Sequence, residues 1–241
     1  MKVCIFTSYF ECKIKEMKSQ TVLIAAGYKG SGPHHWQTWL EGKLPSVVRV
    51  TQEWDKPIIS VWAMNIRKAI DQAPGAVWIV AHSFGCLASV IAAVDRRDKV
   101  AGLMLVAPAD PDRFTPVGIS SHIDCECLIQ SIEVVLPKSL LGIPCLFIAS
   151  TDDPWLTHSK AKLMSEWWGS KLVTLDGVGH INTESGFGAW PKGLELFNEL
   201  RKMHEMMPLG EICIEHADTG KSTHSRQLAK ARHVMRRALR L

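Results

Sequence analysis

A chain of 241 residues, 46% hydrophobic and 22% charged, is long enough to bury one substantial core and too apolar to remain disordered. Its formal charge of +4 comes from one end: residues 221–241 hold seven basic side chains and no acidic one, so the rest is slightly acidic and no nucleic-acid partner is expected. Seven scattered cysteines, an odd number, argue against a disulfide framework, and without an 18-residue apolar run no membrane-spanning helix is expected.

Residues 1–20 hold one short apolar run followed at once by Glu11, Lys13, Lys15, Glu16 and Lys18, unlike a secretory signal, and read as an extension ahead of the fold. With the cysteine usage, this predicts a cytoplasmic protein. A single domain is expected over residues 21–203. Apolar runs rich in Val and Ile at 21–26, 47–51, 77–80, 100–106, 143–149 and 172–175 predict six strands buried on both faces. Between most of them lie helix-like segments: Trp36, Trp39, Leu40 and Leu44 share a face, as do Trp62, Ile66 and Ile70, then Leu87, Val90, Ile91 and Val94, and later Leu194, Phe197 and Leu200. Strand and helix alternate, which predicts an α/β fold with a mostly parallel six-stranded sheet and helices on both faces. Trp39, Trp62 and Trp167 are expected to press helices against that sheet.

Residues 109–141 break the alternation. Pro111, Pro116 and Pro137 interrupt them, they exceed an ordinary loop, and they are expected to form a small cap that covers or flanks a site at the strand ends. Within them His122, Cys125 and Cys127 lack the second pair needed for four zinc ligands, so no metal is expected. Residues 204–241 form a basic extension. Leu228, Ala231, Met235 and Leu239 fall near one helical face there, which would suit contact with an anionic partner, although a solvated extension is the plainer expectation.

Chemistry concentrates at three strand ends. Ala81-His82-Ser83-Phe84-Gly85 joins the third strand to a helix, with small residues two positions either side of the serine, a frame suited to a tight turn that holds a hydroxyl above a sheet. Asp152-Asp153-Pro154 follows the fifth strand and Gly177-Val178-Gly179-His180 the sixth. Serine, acid, histidine is the chain order of the α/β-hydrolase triad. A serine hydroxyl needs an imidazole to take its proton, and the imidazole needs a carboxylate to fix its tautomer. The plainer roles are a helix cap for Ser83, a surface position for His180 and turn initiation for either aspartate; the turn at Pro154 favours Asp153 over Asp152.

Ser-Thr-Asp-Asp-Pro at 150–154, Gly179-His180 followed by Ile181-Asn182-Thr183-Glu184, and His35-Trp36 after a glycine-rich first loop resemble the small serine hydrolases of the retinoblastoma-binding protein 9 and YdeN group. The resemblance runs from about Thr21 to Met203 and implies an α/β-hydrolase fold, with Asp153 as the triad acid. Ala81 departs from that group, which usually has Gly there, but Ala is small enough for the turn.

The first loop, Gly27 to Trp36, is too glycine-rich for a helix and has neither the Gly-Lys-Ser/Thr ending nor the Gly-x-Gly-x-x-Gly spacing of nucleotide sites. In a hydrolase of this fold it brings one backbone N–H to the oxyanion and the residue after the serine brings the other, here Tyr28 and Phe84. His35, Trp36 and Trp155 are candidates for the substrate pocket, the two tryptophans as walls of an apolar acyl site. The expected activity is cleavage of a small carboxylic ester, or a thioester or amide, by Ser83, His180 and Asp153 through an acyl-enzyme, without a cofactor. A protein-binding module with an idle site is the alternative from another class.

Overall fold

The computed structural model describes residues 20–120 and 130–206; the N-terminal extension, the basic tail and the His122, Cys125 and Cys127 group lie outside the described residues, apart from the terminal positions Gln20, His204, Glu205 and Met206. In chain order the elements are β1 (Gln20–Ala25), α1 (Trp36–Glu41), β2 (Val47–Arg49), α2 (Ile59–Gln72), β3 (Ala76–His82), α3 (Phe84–Val94), β4 (Val100–Val106), a hairpin of β5 (Phe114–Thr115) and β6 (Gly118–Ile119), β7 (Cys145–Ser150), α4 (His158–Trp168), β8 (Lys171–Leu175) and α5 (Pro191–Glu205).

Six strands form one sheet in the order β2-β1-β3-β4-β7-β8, and every neighbouring pair is parallel. Parallel neighbours need crossover connections, and the helices supply them. Successive strand residues point to opposite faces, so each face collects its own core. Leu23, Ile79, Leu103 and Phe147 pack with Trp62 of α2, Leu87 of α3 and Trp168 of α4. Ile24, Val80, Met104 and Ile148 pack on the other side with Trp36 and Leu40 of α1 and Phe197 and Leu200 of α5. This is why the central strand segments read as unbroken apolar runs; the edge strands β2 and β8, expected to be buried on both faces, are only partly buried and carry Arg49 and Thr174.

The strand order also places the site. The chain steps outward from β1 to β2, then returns past β1 to β3, so connections leave β1 and β3 in opposite directions and open a crevice beyond their carboxyl ends. Gly27 follows one of these strands and Ser83 the other.

Two features differ from expectation. Helix α1 stops at Glu41, with Gly42 as its cap, so Leu44 lies past the helix although it still packs against the same core. Trp62 is fully buried, whereas Trp39 and Trp167 pack against the two cores from their edges, partly buried and each with a lysine over its ring, while their neighbours Trp36 and Trp168 take the fully buried positions. In the described parts of 109–141, Phe114, Ile132, Leu136 and Leu141 are buried in the core under α2–α4, with Phe114 4.6 Å from the Phe84 ring. None of these described residues lines the cavity beside Ser83. Among the described residues no helix is long and apolar enough to cross a membrane.

Candidate active site

Ser83 sits between β3 and α3 with φ 53° and ψ −126°, a region that a residue with a Cβ enters only when its surroundings hold it there. Two close approaches do the holding. A Cβ at Gly85 would lie 2.4 Å from the carbonyl oxygen of Ala26 and 2.5 Å from that of Ala25, and one at Gly27 would lie 2.7 Å from the Ser83 Cβ. Glycine at 85 thus lets α3 start directly against the end of β1, and glycine at 27 makes room for the serine itself. Gly85→Ala is expected to cost about 3 kcal/mol in denaturant unfolding because backbone must move, whereas Gly32→Ala, with nothing within 4 Å, is expected to stay within about 0.5 kcal/mol of the parent.

Ser83 Oγ and His180 Nε2 are 2.9 Å apart, and His180 Nδ1 is 2.9 Å from both carboxylate oxygens of Asp153. The Asp153 side chain is 2% exposed and that of His180 7%. Asp153 Oδ1 also accepts the Trp155 N–H at 2.8 Å, which fixes the carboxylate in the turn after β7. The carboxylate orients the ring so that Nε2 faces the serine.

Asp152 does a different job. Its Oδ1 accepts from Ser150 Oγ at 2.6 Å and from the Gly179 N–H at 2.7 Å, and these two donors hold its carboxyl below the usual carboxylate range. It ties the loop carrying His180 to the end of β7. Ser150 Oγ accepts from the Val178 N–H, and Ser185 Oγ from the His180 N–H, so the loop is bonded along its length. The loop bends through Gly177 and Gly179 at φ 63° and 60°, and Ile181 at φ 48°.

Two further grips come from below and were not legible as such in the sequence. His82 Nε2 lies 2.9 Å from the carbonyl oxygen of His180, so the ring donates and its proton resides on Nε2. Burial, with His180 and His35 nearby, holds His82 well below the ordinary histidine range, so the ring is neutral. Trp36 Nε1 donates to the next carbonyl, Ile181, at 2.8 Å. Consecutive carbonyls of the histidine loop are thus held by residues about a hundred or more positions away. Trp36 is therefore not a pocket wall: it is 1% exposed, lies edge-on to Trp190 at 5.2 Å and is absent from the cavity lining. As the first residue of α1 it faces the sheet rather than the crevice.

The cavity beside Ser83 has a volume of about 270 Å³. Tyr28, His35 and Trp155 line it together with Ser83 and His180, so those three expected positions do reach it. Trp155 stands 5.8 Å from the His180 ring at 33°, and the Arg113 guanidinium is 5.0 Å from the Trp155 ring centre. Lys29, Asn182, Thr183 and Glu184 add polar side chains to the rim, so the wall is mixed rather than the wholly apolar acyl site expected from the tryptophans. Phe84 is the first residue of α3, so its N–H has no intrahelical acceptor. Behind the first loop, Trp54 accepts from the Lys29 N–H through its carbonyl and sets its ring against Gly30, a bracing role for a tryptophan that had no assignment from sequence.

The switch-point crevice with a strained serine between strand and helix defines the α/β-hydrolase class. The chain belongs to the serine hydrolase family, whose sequence profile matches residues 22–199. Among solved structures it is similar to a protein described as a YdeN-like hydrolase from Pectobacterium atrosepticum, with 29% identity over 81% of this chain and 98% of that one and a TM-score of 0.64. The ydeN gene product of B. subtilis shares the fold at 18% identity, over 77% and 100% of the two chains, with a TM-score of 0.56. Est1E from Butyrivibrio proteoclasticus, in a structure with ferulic acid bound, shares it at 14% identity, over 78% and 88%, with a TM-score of 0.55. No curated protein matches the chain.

Proposed function

We propose that this hydrolase cleaves small carboxylic esters through an acyl-enzyme on Ser83. His180 Nε2 takes the hydroxyl proton as Oγ attacks the ester carbon, and Asp153 keeps Nδ1 protonated and stabilises the imidazolium that forms. The backbone N–H groups of Phe84 and Tyr28 receive the oxyanion. His180 then returns the proton to the departing alcohol, and water repeats the cycle to release the acid. Every proton and developing charge in this sequence has a carrier within the chain, so the cycle calls on no cofactor.

The observation that carries the reading is the unbroken line from Ser83 Oγ through His180 to Asp153 at 2.9 Å per step, in a buried setting that a mere helix cap would not need. Ser83 in fact makes no side-chain cap bond to α3. A cavity of about 270 Å³ suits short acyl groups. In assays with p-nitrophenyl esters of graded length, acetate and butyrate are expected to turn over, and octanoate at least about 10-fold less efficiently in kcat/KM. No turnover of any ester, with turnover of a matched thioester or anilide, would move the reaction to those acyl bonds.

A further inference from the structure

The ester cycle leaves one imidazole of the cavity, that of His35, without a task. His35 is 4% exposed and caps α1, its Nδ1 accepting the Gln37 N–H at 3.1 Å. A neutral imidazole has one donor and one acceptor nitrogen, so an accepting Nδ1 puts the proton on Nε2. Burial, reinforced by the Arg49 and His180 charges, lowers His35 to about 4, and the ring stays neutral at physiological pH. Among the described residues Nε2 meets no acceptor. It is also not sealed in: the buried polar side-chain atoms without a partner are Arg67 Nε and Ser89 Oγ, and His35 shares the cavity wall with Ser83 and His180. A donor on the cavity wall with no acceptor among the described residues is available to whatever enters the cavity.

We propose that His35 donates its Nε2–H to an acceptor atom of the substrate close to the scissile carbonyl, so that the site selects esters carrying an ether, hydroxyl or carbonyl oxygen there over alkyl esters of the same shape. This rests on the ester-hydrolase reading. The polar side chains of Lys29, Asn182, Thr183 and Glu184 at the rim accord with such a substrate.

The two ring nitrogens can be separated by substitution. In His35→Asn the amide oxygen stands near the place of Nδ1 and keeps the cap, but nothing reaches the cavity; in His35→Gln the amide nitrogen reaches near the place of Nε2 while the cap is lost. Wild type and both variants are compared on p-nitrophenyl methoxyacetate against p-nitrophenyl butyrate, and on 2-methoxyethyl acetate against butyl acetate, so that the acceptor is presented on the acyl or the alcohol side. Intrinsic reactivity cancels, because each variant is read on the same pair. His35→Asn is expected to lose about 10- to 30-fold in kcat/KM on the oxygen-bearing member of one pair and at most about 3-fold on its alkyl partner, with an unchanged thermal midpoint. His35→Gln keeps the discrimination within about 3-fold but melts earlier. Equal losses on both members of both pairs, or no loss in His35→Asn, would overturn the proposal. Absence of hydrolysis of all four esters by the wild type would overturn the ester reading itself, and this proposal with it.

Discussion

Ser83→Ala is expected to lower kcat/KM for p-nitrophenyl acetate by a factor on the order of 10³ to 10⁶ while leaving the fold intact. The reasoning separates the oxygen from the backbone. Alanine keeps the Cβ, and with it the packing against Gly27 and the strained φ of 53°, and removes only the atom that lies 2.9 Å from His180 Nε2. Stability should therefore change by less than about 1 kcal/mol, read as an unchanged denaturant midpoint. Ser83→Gly abolishes activity in the same way but also releases the conformational strain, so it should be more stable than Ser83→Ala by about 1 kcal/mol. If Ser83→Ala retains more than about a tenth of the activity, another group is the nucleophile.

The adjacent aspartates make a sharper comparison. Asp153→Asn is expected to reduce kcat by about 10³- to 10⁴-fold with little change in KM, because an amide can donate to Nδ1, favour the wrong tautomer and leave the developing imidazolium without its counter-charge. Asp152→Asn should cost less than about 10-fold, since an amide oxygen can still accept from Ser150 Oγ and the Gly179 N–H, the two bonds that hold the histidine loop. Both variants are measured for turnover on one ester. Equal losses would mean that loop placement, rather than the charge behind the imidazole, limits the reaction.

What could be read from the sequence follows from how local each signal is. The four central strands were legible because both faces of the sheet are buried there, which leaves unbroken runs such as Val100–Val106, every residue of which is buried, whereas the partly exposed edge strands β2 and β8 showed only as short runs rich in valine and leucine. Ser83 was legible because its turn needs small residues at fixed offsets, and the close contacts of Gly85 and Gly27 supply the reason. Sequence separates Asp153 from Asp152 only through Pro154, since both sit in one turn and both bond the same loop, Asp152 at the Gly179 N–H and Asp153 at the His180 ring. Trp36 was misplaced as a pocket wall because a tryptophan at a loop-helix junction carries no mark of which way its ring turns. Its partner, the Ile181 carbonyl, is 145 residues away. Gln37 was passed over for a related reason: it is a buried amide that donates to the ends of β1 and β3 at Ala25 and Val80, yet in a helical pattern a glutamine reads as solvent-facing. Phe114 lay hidden in a proline-rich interval whose periodicity is weak, although its ring packs directly on Phe84 beside the nucleophile turn.

Among the described serines, Ser83 alone has its hydroxyl against an imidazole that a buried carboxylate orients. Treating the purified protein with a fluorophosphonate and reading intact mass followed by peptide mapping tests this directly, because the reagent forms a stable bond with an activated serine and spares an ordinary one. The account predicts about one adduct per chain, located on Ser83, with labelling abolished in Ser83→Ala and much slowed in Asp153→Asn. Folded protein that takes up no label, or takes it up at another residue, would contradict it and turn attention to a binding role for the same crevice.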